Sequence, residues 1–218
     1  MRIILASASP RRRELLGQIG IEFEIHVSNV EEKVTAVEPS AVVEELSRQK
    51  AEAVLASLEE GMEGGLTMEK ELTMEGELTM EKELTMEDVL VIGADTVVAL
   101  EGQILGKPSN PDHALAMLRR LSGNVHEVYT GVTLLCRKKD GAVQRKVFHE
   151  RTKVEFFSLT EAEIQEYVQS GECMDKAGAY GIQGIFARYV RGIEGDYNNV
   201  VGLPVGRLYQ EAKEWLES

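Results

Sequence analysis

RIILASASPRRRELL, residues 2–16, sets an aliphatic run directly against a proline-led polar one. Arg2–Ala6 has the branched, apolar character of a buried strand. Pro10 suits the first helical position, where its missing N–H would go unpaired anyway. Ser9 before it is an N-cap type, so a helix is expected over Pro10–Gly20. A strand that hands over at once to a helix opens a mixed α and β architecture.

The chain keeps to that mixture downstream. Phe23–Val27 reads as a second strand. Ser40–Leu58, entered through Pro39-Ser40, has Val42, Val43, Leu46, Ala53 and Val54 at helical spacing. Val89–Ile92 is strongly apolar and Thr96–Leu100 continues the extended pattern, with Glu101-Gly102 turning into Ile104-Leu105. Asn110-Pro111 opens a helix through Leu115, Leu118 and Leu121 to Gly123. Val125–Cys136 and Val143–Phe157 predict long antiparallel strands joined at Lys138–Gly141. Thr160-Glu161-Ala162-Glu163 is a capping box, Gly195–Asn199 reads as a loop before the buried segment Val200–Pro204, and Val205–Leu216 is a closing amphipathic helix. The expected fold is α/β: a central mixed, largely antiparallel sheet flanked by helices.

The 218 residues, 43% hydrophobic and 28% charged, suit a single domain over 1–218 and exclude collagen-like or wholly disordered chains. No apolar run approaches the ~20 residues of a membrane span, so no membrane partner is expected. The apolar start is too short for a secretory signal. Cys136 and Cys173 lack a CxxC partner and read as two buried thiols in a reducing cytosol. A net charge of −13 disfavours binding to a nucleic acid polymer. It leaves room for a small phosphorylated ligand held by a local basic cluster.

The acid is unevenly spread. Residues 66–88 read LTMEKE, LTMEGE, LTMEKE, LTMED, and the stretch 61–88 carries seven of the thirteen net negative charges. A period of six spirals Leu66, Leu72, Leu78 and Leu84 around a helix and gives no sustained apolar face. A strand would keep them on one side, but the repeat is short for a solenoid. It is expected to be a solvated insertion into the domain.

Four stretches carry chemistry. Ser7–Arg13 lies where a strand meets a helix start, whose free N–H groups and dipole attract anions. Arginines there donate paired hydrogen bonds to phosphate. An ordinary capped helix with solvated arginines is the alternative, and repulsion among three cations at a positive helix end favours the anion. Asp95 in Gly93-Ala94-Asp95-Thr96 is a carboxylate between apolar runs. Burial is costly for it without a partner, and a hard divalent cation or a backbone turn would supply one. Lys50 and Lys107 are cations on a helix and in a constrained Gly-Lys-Pro loop. In Asp175–Gly184, three glycines imply close backbone approach to a ligand, and the Gln183 amide both donates and accepts. The four histidines have no zinc-binding spacing, and P-loop, dinucleotide and nucleophile-elbow patterns are absent.

SASPRRRELL, GADTVV, GKP, LSG, DKAGAYGIQG and NVVGLP, in this order, resemble the Maf family of nucleoside triphosphate pyrophosphatases over nearly the whole chain except about 61–88. The resemblance implies an α/β fold similar to the inosine triphosphatase-like enzymes, a cytoplasmic location, a divalent metal (Mg²⁺ or Mn²⁺) and, often, a homodimer. Cleavage would fall between the α and β phosphates of a nucleoside triphosphate. By position, Asp95 matches the family's catalytic proton acceptor. Arg11, Thr96 and Gln183 match the three positions tied to substrate choice and are similar to the dTTP/UTP subgroup. Ser7, Ser9, Arg12, Lys50 and Lys107 match triphosphate-binding positions. Glu32 falls at an acidic, metal-linked position. Asn29-Val30-Glu31-Glu32 departs from the family pattern there, so Glu31 stays an alternative. A nucleotide-binding regulator of septum formation or cell division, with incidental hydrolysis, and a cleanup enzyme for other non-standard triphosphates are the competing functions.

Overall fold

The computed structural model describes residues 1–27, 30–66 and 87–217. Its strands are β1 (Arg2–Ala6), β2 (Glu24–Ile25), β3 (Val89–Leu100), β4 (Gln103–Leu105), β5 (Val125–Arg137), β6 (Val143–Phe156) and β7 (Val190–Glu194). The helices are α1 (Pro10–Gln18), α2 (Pro39–Leu66), α3 (Pro111–Leu121), α4 (Glu161–Gln169), α5 (Tyr197–Val201) and α6 (Val205–Leu216). Among the described residues the strands form one sheet in the order β2-β1-β3-β5-β6-β7, with β4 beside β3. Pairing is parallel for β1 with β2 and β3, and antiparallel elsewhere. The sheet is therefore mixed and largely antiparallel, as the sequence predicts.

Strand alternation assigns the two faces. The even residues Leu90, Ile92 and Ala94 of β3, with Val128, Val132 and Leu134 of β5, enter the main core with α1, α3, α4 and α6. The odd residues Val89, Val91 and Val97 meet α2 through Val42, Val43, Leu46, Ala51, Val54 and Leu55. α2 sits directly on the backbone at two glycines. A Cβ on Gly131 would lie 2.2 Å from the Val43 carbonyl oxygen, and one on Gly93 2.3 Å from that of Ser47. Only glycine allows helix and strand to approach this closely.

One strand edge makes the functional opening. β5 pairs along β3 from Val89 to Ala99. On the opposite edge, β1 pairs with Val89–Gly93 and β4 with Val98–Leu100. Ala94–Val97 are thus left between two strand ends, and α1 begins just beyond the end of β1.

Several local expectations shift. Ser9 precedes α1 in extended conformation, but its side chain makes no cap bond; the Ser7 hydroxyl accepts the Ser9 N–H instead, at 3.3 Å. α1 stops at Gln18, and β2 keeps only Glu24–Ile25 of the expected Phe23–Val27, because β1 offers a partner register only at Ile4 and Leu5. α2 runs on past Leu58 to Leu66; extension costs little once a helix is nucleated, and Glu and Met favour it. The Gly195–Asn199 loop contains the start of α5, capped by the Asp196 side chain on the Asn198 N–H at 2.8 Å. Asn110 and the Thr160–Glu163 box cap α3 and α4 as read. Both cysteines are buried free thiols. Most of the acidic repeat, 67–86, lies outside the described residues. No described helix is long and apolar enough to cross a membrane.

Candidate active site

The opening beside Ala94–Val97 widens into a cleft of about 990 Å³. Its floor is the end of β1 and the exposed edge of β3, one wall is the start of α1, and the rim is the glycine-rich segment 175–184. Ser7, Ser9, Arg11, Arg12, Glu32, Lys50, Asp95, Thr96, Lys107 and Gln183 all line it. Residues scattered over 177 positions of sequence therefore share one concavity. The cleft is also where this acidic chain turns basic: five lysines and arginines line it against four carboxylates.

Asp95 stands on the α2 face of β3, two residues beyond Gly93. The Lys50 ammonium on α2 donates to Asp95 Oδ1 and lies 3.1 Å from Glu32 Oε1, so one cation joins the two carboxylates. Glu32, rather than Glu31, lines the cleft. Its loop is tied to α2 by a reciprocal amide pair: Lys33 N–H donates to Gln49 Oε1 at 3.0 Å and Gln49 Nε2 to the Lys33 carbonyl at 2.6 Å. Glu45 accepts from the Thr35 and Ala36 N–H groups and the Thr35 hydroxyl, which holds its carboxyl below the usual range. Among the described residues, no three His, Cys, Asp or Glu side chains cluster as a protein-only metal cage. Asp95 and Glu32, both lining the cleft, offer hard oxygens that suit an ion taking its other ligands from substrate and water.

Thr96, one residue on, faces the opposite side of the sheet. Its hydroxyl accepts from Arg12 Nη2 at 2.9 Å and is 2.9 Å from that of Thr130, its cross-strand partner. The Thr130 hydroxyl is also within 3.1 Å of the Asn199 carbonyl. Arg12 further donates from Nε to the Gly202 carbonyl at 2.8 Å, and from Nη1 to the Ala94 carbonyl at 2.9 Å and the Ser7 hydroxyl at 3.2 Å. Four hydrogen bonds to the protein occupy most of the five N–H groups of a guanidinium. Arg12 is therefore first a wall member, satisfying the β3 carbonyl at the gap between β1 and β4. Burial lowers its pKa, and the nearby Asp95 charge opposes that shift.

Arg11 projects from the first turn of α1 and meets Asp175 at 3.3 Å. Asp175 also accepts from Lys176 at 2.7 Å. Burial works against ionisation of Asp175, but the Lys176 and Arg11 cations outweigh it and hold the carboxyl below its ordinary value. Lys107 is exposed on the cleft and has no ion-pair partner among the described residues. Gln183 lies exposed on the rim.

Asp175, Lys176 and Gly202 stand in motifs the sequence shows but without a task there, and nothing in the sequence marks Thr130. Lys176 had a signal, as the one lysine of the glycine-rich stretch 175–184. Thr130 sits inside a long strand, where one more β-branched residue is unremarkable, and its partner Thr96 is known only once the strands are in register.

The family model described as Maf-like protein matches residues 2–215. The chain is 55% identical to a dTTP/UTP pyrophosphatase of Agathobacter rectalis, covering 98% of this chain and 97% of the relative. It is 48% identical to a dTTP/UTP pyrophosphatase of Carboxydothermus hydrogenoformans, covering 99% of each. It is 45% identical to one of Lachnoclostridium phytofermentans, covering 98% of this chain and 95% of that one. Among solved structures, a nucleoside-triphosphatase / dITP/XTP pyrophosphatase of Mycobacterium abscessus aligns with a TM-score of 0.37 and 14% identity, over 100% of this chain and 97% of the other.

Proposed function

The chain belongs to the Maf-like protein family, and from that membership we propose that it hydrolyses dTTP and UTP to the nucleoside monophosphate and pyrophosphate in the cleft around Asp95. The observation that carries the reading is the convergence of an acid pair, a set of cations and an amide-bearing rim on one concavity, in a chain nearly full-length similar to dTTP/UTP pyrophosphatases. The enzyme is taken to be a single cytoplasmic domain interrupted by the acidic repeat. It acts on free nucleotides rather than polymers, and a homodimer is its expected assembly.

The triphosphate's negative charge is met by Arg11, Lys50, Lys107 and the N–H groups at the start of α1. Ser7 and Ser9 add hydroxyls beside them. Arg12 keeps its remaining N–H for the substrate while fixing the wall. Asp95 orients the attacking water and accepts its proton, a role worth on the order of 10²–10⁴ in rate. The water adds to the α phosphorus, the α–β bridging bond breaks, and pyrophosphate leaves with that electron pair. Lys50, bonded to Asp95, follows the charge as it moves from carboxylate to phosphate. A divalent cation such as Mg²⁺ or Mn²⁺ fits the hard oxygens of Asp95 and Glu32, which would hold it, and it supplies charge neutralisation at phosphate and a more acidic water. Gln183, with a donor and an acceptor on one amide, matches the adjoining O4 and N3–H of thymine and uracil.

Pyrophosphate release from a panel of dTTP, UTP, dCTP, dATP, dGTP, ITP and XTP tests this. The expected result is the highest kcat/KM on dTTP and UTP. Release of single phosphates, or equal turnover of purine and pyrimidine triphosphates, would overturn it.

A further inference from the structure

Gln183 rides on the four-residue turn Gly181–Gly184, closed by a Gly184 N–H to Gly181 carbonyl contact of 3.4 Å. Two glycines in four residues make such a turn loose by itself. Reading a base edge with one amide requires it to be fixed to a fraction of an ångström. The fixing groups come from outside the turn.

Glu172 holds the far end. Its Oε2 accepts the Ile185 N–H at 3.1 Å, and Gly184 lies beneath the same carboxylate, where an added Cβ would fall 1.9 Å from Oε1. The near end is held by the buried Tyr167, whose hydroxyl accepts the Gly181 N–H at 3.3 Å, and by the Lys176 stem, which packs over Gly181 so that a Cβ there would lie 2.6 Å from Cε. Lys176 ties the two supports together. Its ammonium donates to the Glu172 carbonyl at 2.5 Å and to Asp175 at 2.7 Å, and Asp175 reaches Arg11. Glu172, half-buried, is not among the residues that line the cleft.

We propose that Glu172 is a positioning residue for base selection, whose carboxylate latches the Gly181–Gly184 turn and so sets where the Gln183 amide stands. This rests on Gln183 reading the pyrimidine edge. Breaking the latch frees the turn without touching Asp95, Lys50 or Lys107, so recognition of the base suffers while handling of the triphosphate does not.

The test compares kcat/KM for dTTP, UTP, dATP and dGTP among the unaltered enzyme and the Glu172→Ala, Glu172→Gln, Gly184→Ala and Gln183→Ala variants, with melting temperatures alongside. Glu172→Ala should cut the pyrimidine-over-purine ratio roughly tenfold, the worth of about one neutral hydrogen bond. Purine turnover should stay as it was. Glu172→Gln keeps an oxygen for the Ile185 N–H and should recover most of the ratio. Gly184→Ala reaches the same end differently, its methyl pushing the carboxylate aside, and it keeps the question answerable if Glu172→Ala folds poorly. A proportional loss on all four nucleotides, or an intact ratio in Glu172→Ala and Gly184→Ala while Gln183→Ala loses it, overturns the latch. An intact ratio in Gln183→Ala overturns the underlying base reading and the latch with it.

Discussion

Gly93 of β3 lies directly beneath Ser47 of α2, so close that a Cβ at position 93 would sit 2.3 Å from the Ser47 carbonyl oxygen and 2.9 Å from the Ala51 Cβ. Lys50 follows on the same stretch of helix and Asp95 on the same face of the strand. The absence of a side chain at position 93 therefore sets the height at which the lysine meets the carboxylate.

Gly93→Ala should accordingly damage catalysis as well as stability. Backbone, not a flexible side-chain tip, blocks the new methyl, so α2 must lift. Overpacking of this kind costs about 1–3 kcal/mol, and a displacement near 1 Å at a reacting group can cost about 10² in rate. Thermal unfolding and steady-state kinetics read the two effects separately. A lowered melting temperature with unchanged kcat would show that the Lys50–Asp95 pairing does not depend on this contact.

Asp95→Asn keeps the size and a hydrogen-bonding oxygen for Lys50 but removes the proton acceptor. Turnover should drop by about 10²–10⁴, while affinity for a non-hydrolysable triphosphate analogue, measured by calorimetry, survives. Near-normal turnover would mean that another group takes the proton.

Arg11 and Arg12 are neighbours with opposite expected phenotypes. Arg12 donates to acceptors in three other segments, and hydrogen bonds from a charged group are worth about 1.5–3 kcal/mol each. Arg12→Lys should destabilise by at least about 2 kcal/mol, because a single ammonium cannot span the same acceptors. Arg11→Ala breaks one exposed ion pair and should leave stability within about 0.5 kcal/mol while raising KM. Urea unfolding of both variants decides the matter; equal losses would contradict the wall role of Arg12.

His126 gives the protein an acid-side weakness. It is 1% exposed, donates or accepts at the Tyr180 hydroxyl at 2.8 Å, and packs edge-on against Phe156 and Tyr180. Burial pushes its pKa down to about 3. The folded state thus keeps the ring neutral where the unfolded chain protonates it. This stabilisation is complete above the unfolded value near 6.5 and is lost as pH falls towards the folded one. The slope reaches at most about 1.4 kcal/mol per pH unit. Unfolding free energies between pH 7 and 5 should fall accordingly, and His126→Gln should flatten the curve; an unchanged curve would mean that His126 protonates in the fold without penalty.

The local grammar of the chain was legible before any coordinates. Apolar runs gave β1, β3, β5 and β6, and Asn110 and the Thr160–Glu163 box marked the starts of α3 and α4, because strand burial and helix capping are decided within a few residues. The motifs also named the cleft's Ser7, Arg11, Asp95 and Gln183, and the family resemblance added Lys50 by position. Local rules could not record distant partners: besides lining the cleft, Arg12 donates to an acceptor 190 residues away.

Sequence by itself determined which side chains are available and which secondary structure each stretch favours, since both depend on near neighbours along the chain. Tertiary structure alone decided that β1 ends opposite Gly93 and β4 ends opposite Val98, leaving the gap where Asp95 and Thr96 are reachable. It also decided that two glycines seat α2 low enough for Lys50 to bridge Asp95 and Glu32. Strand register and helix height are set by packing among segments far apart in sequence, and no local pattern records them.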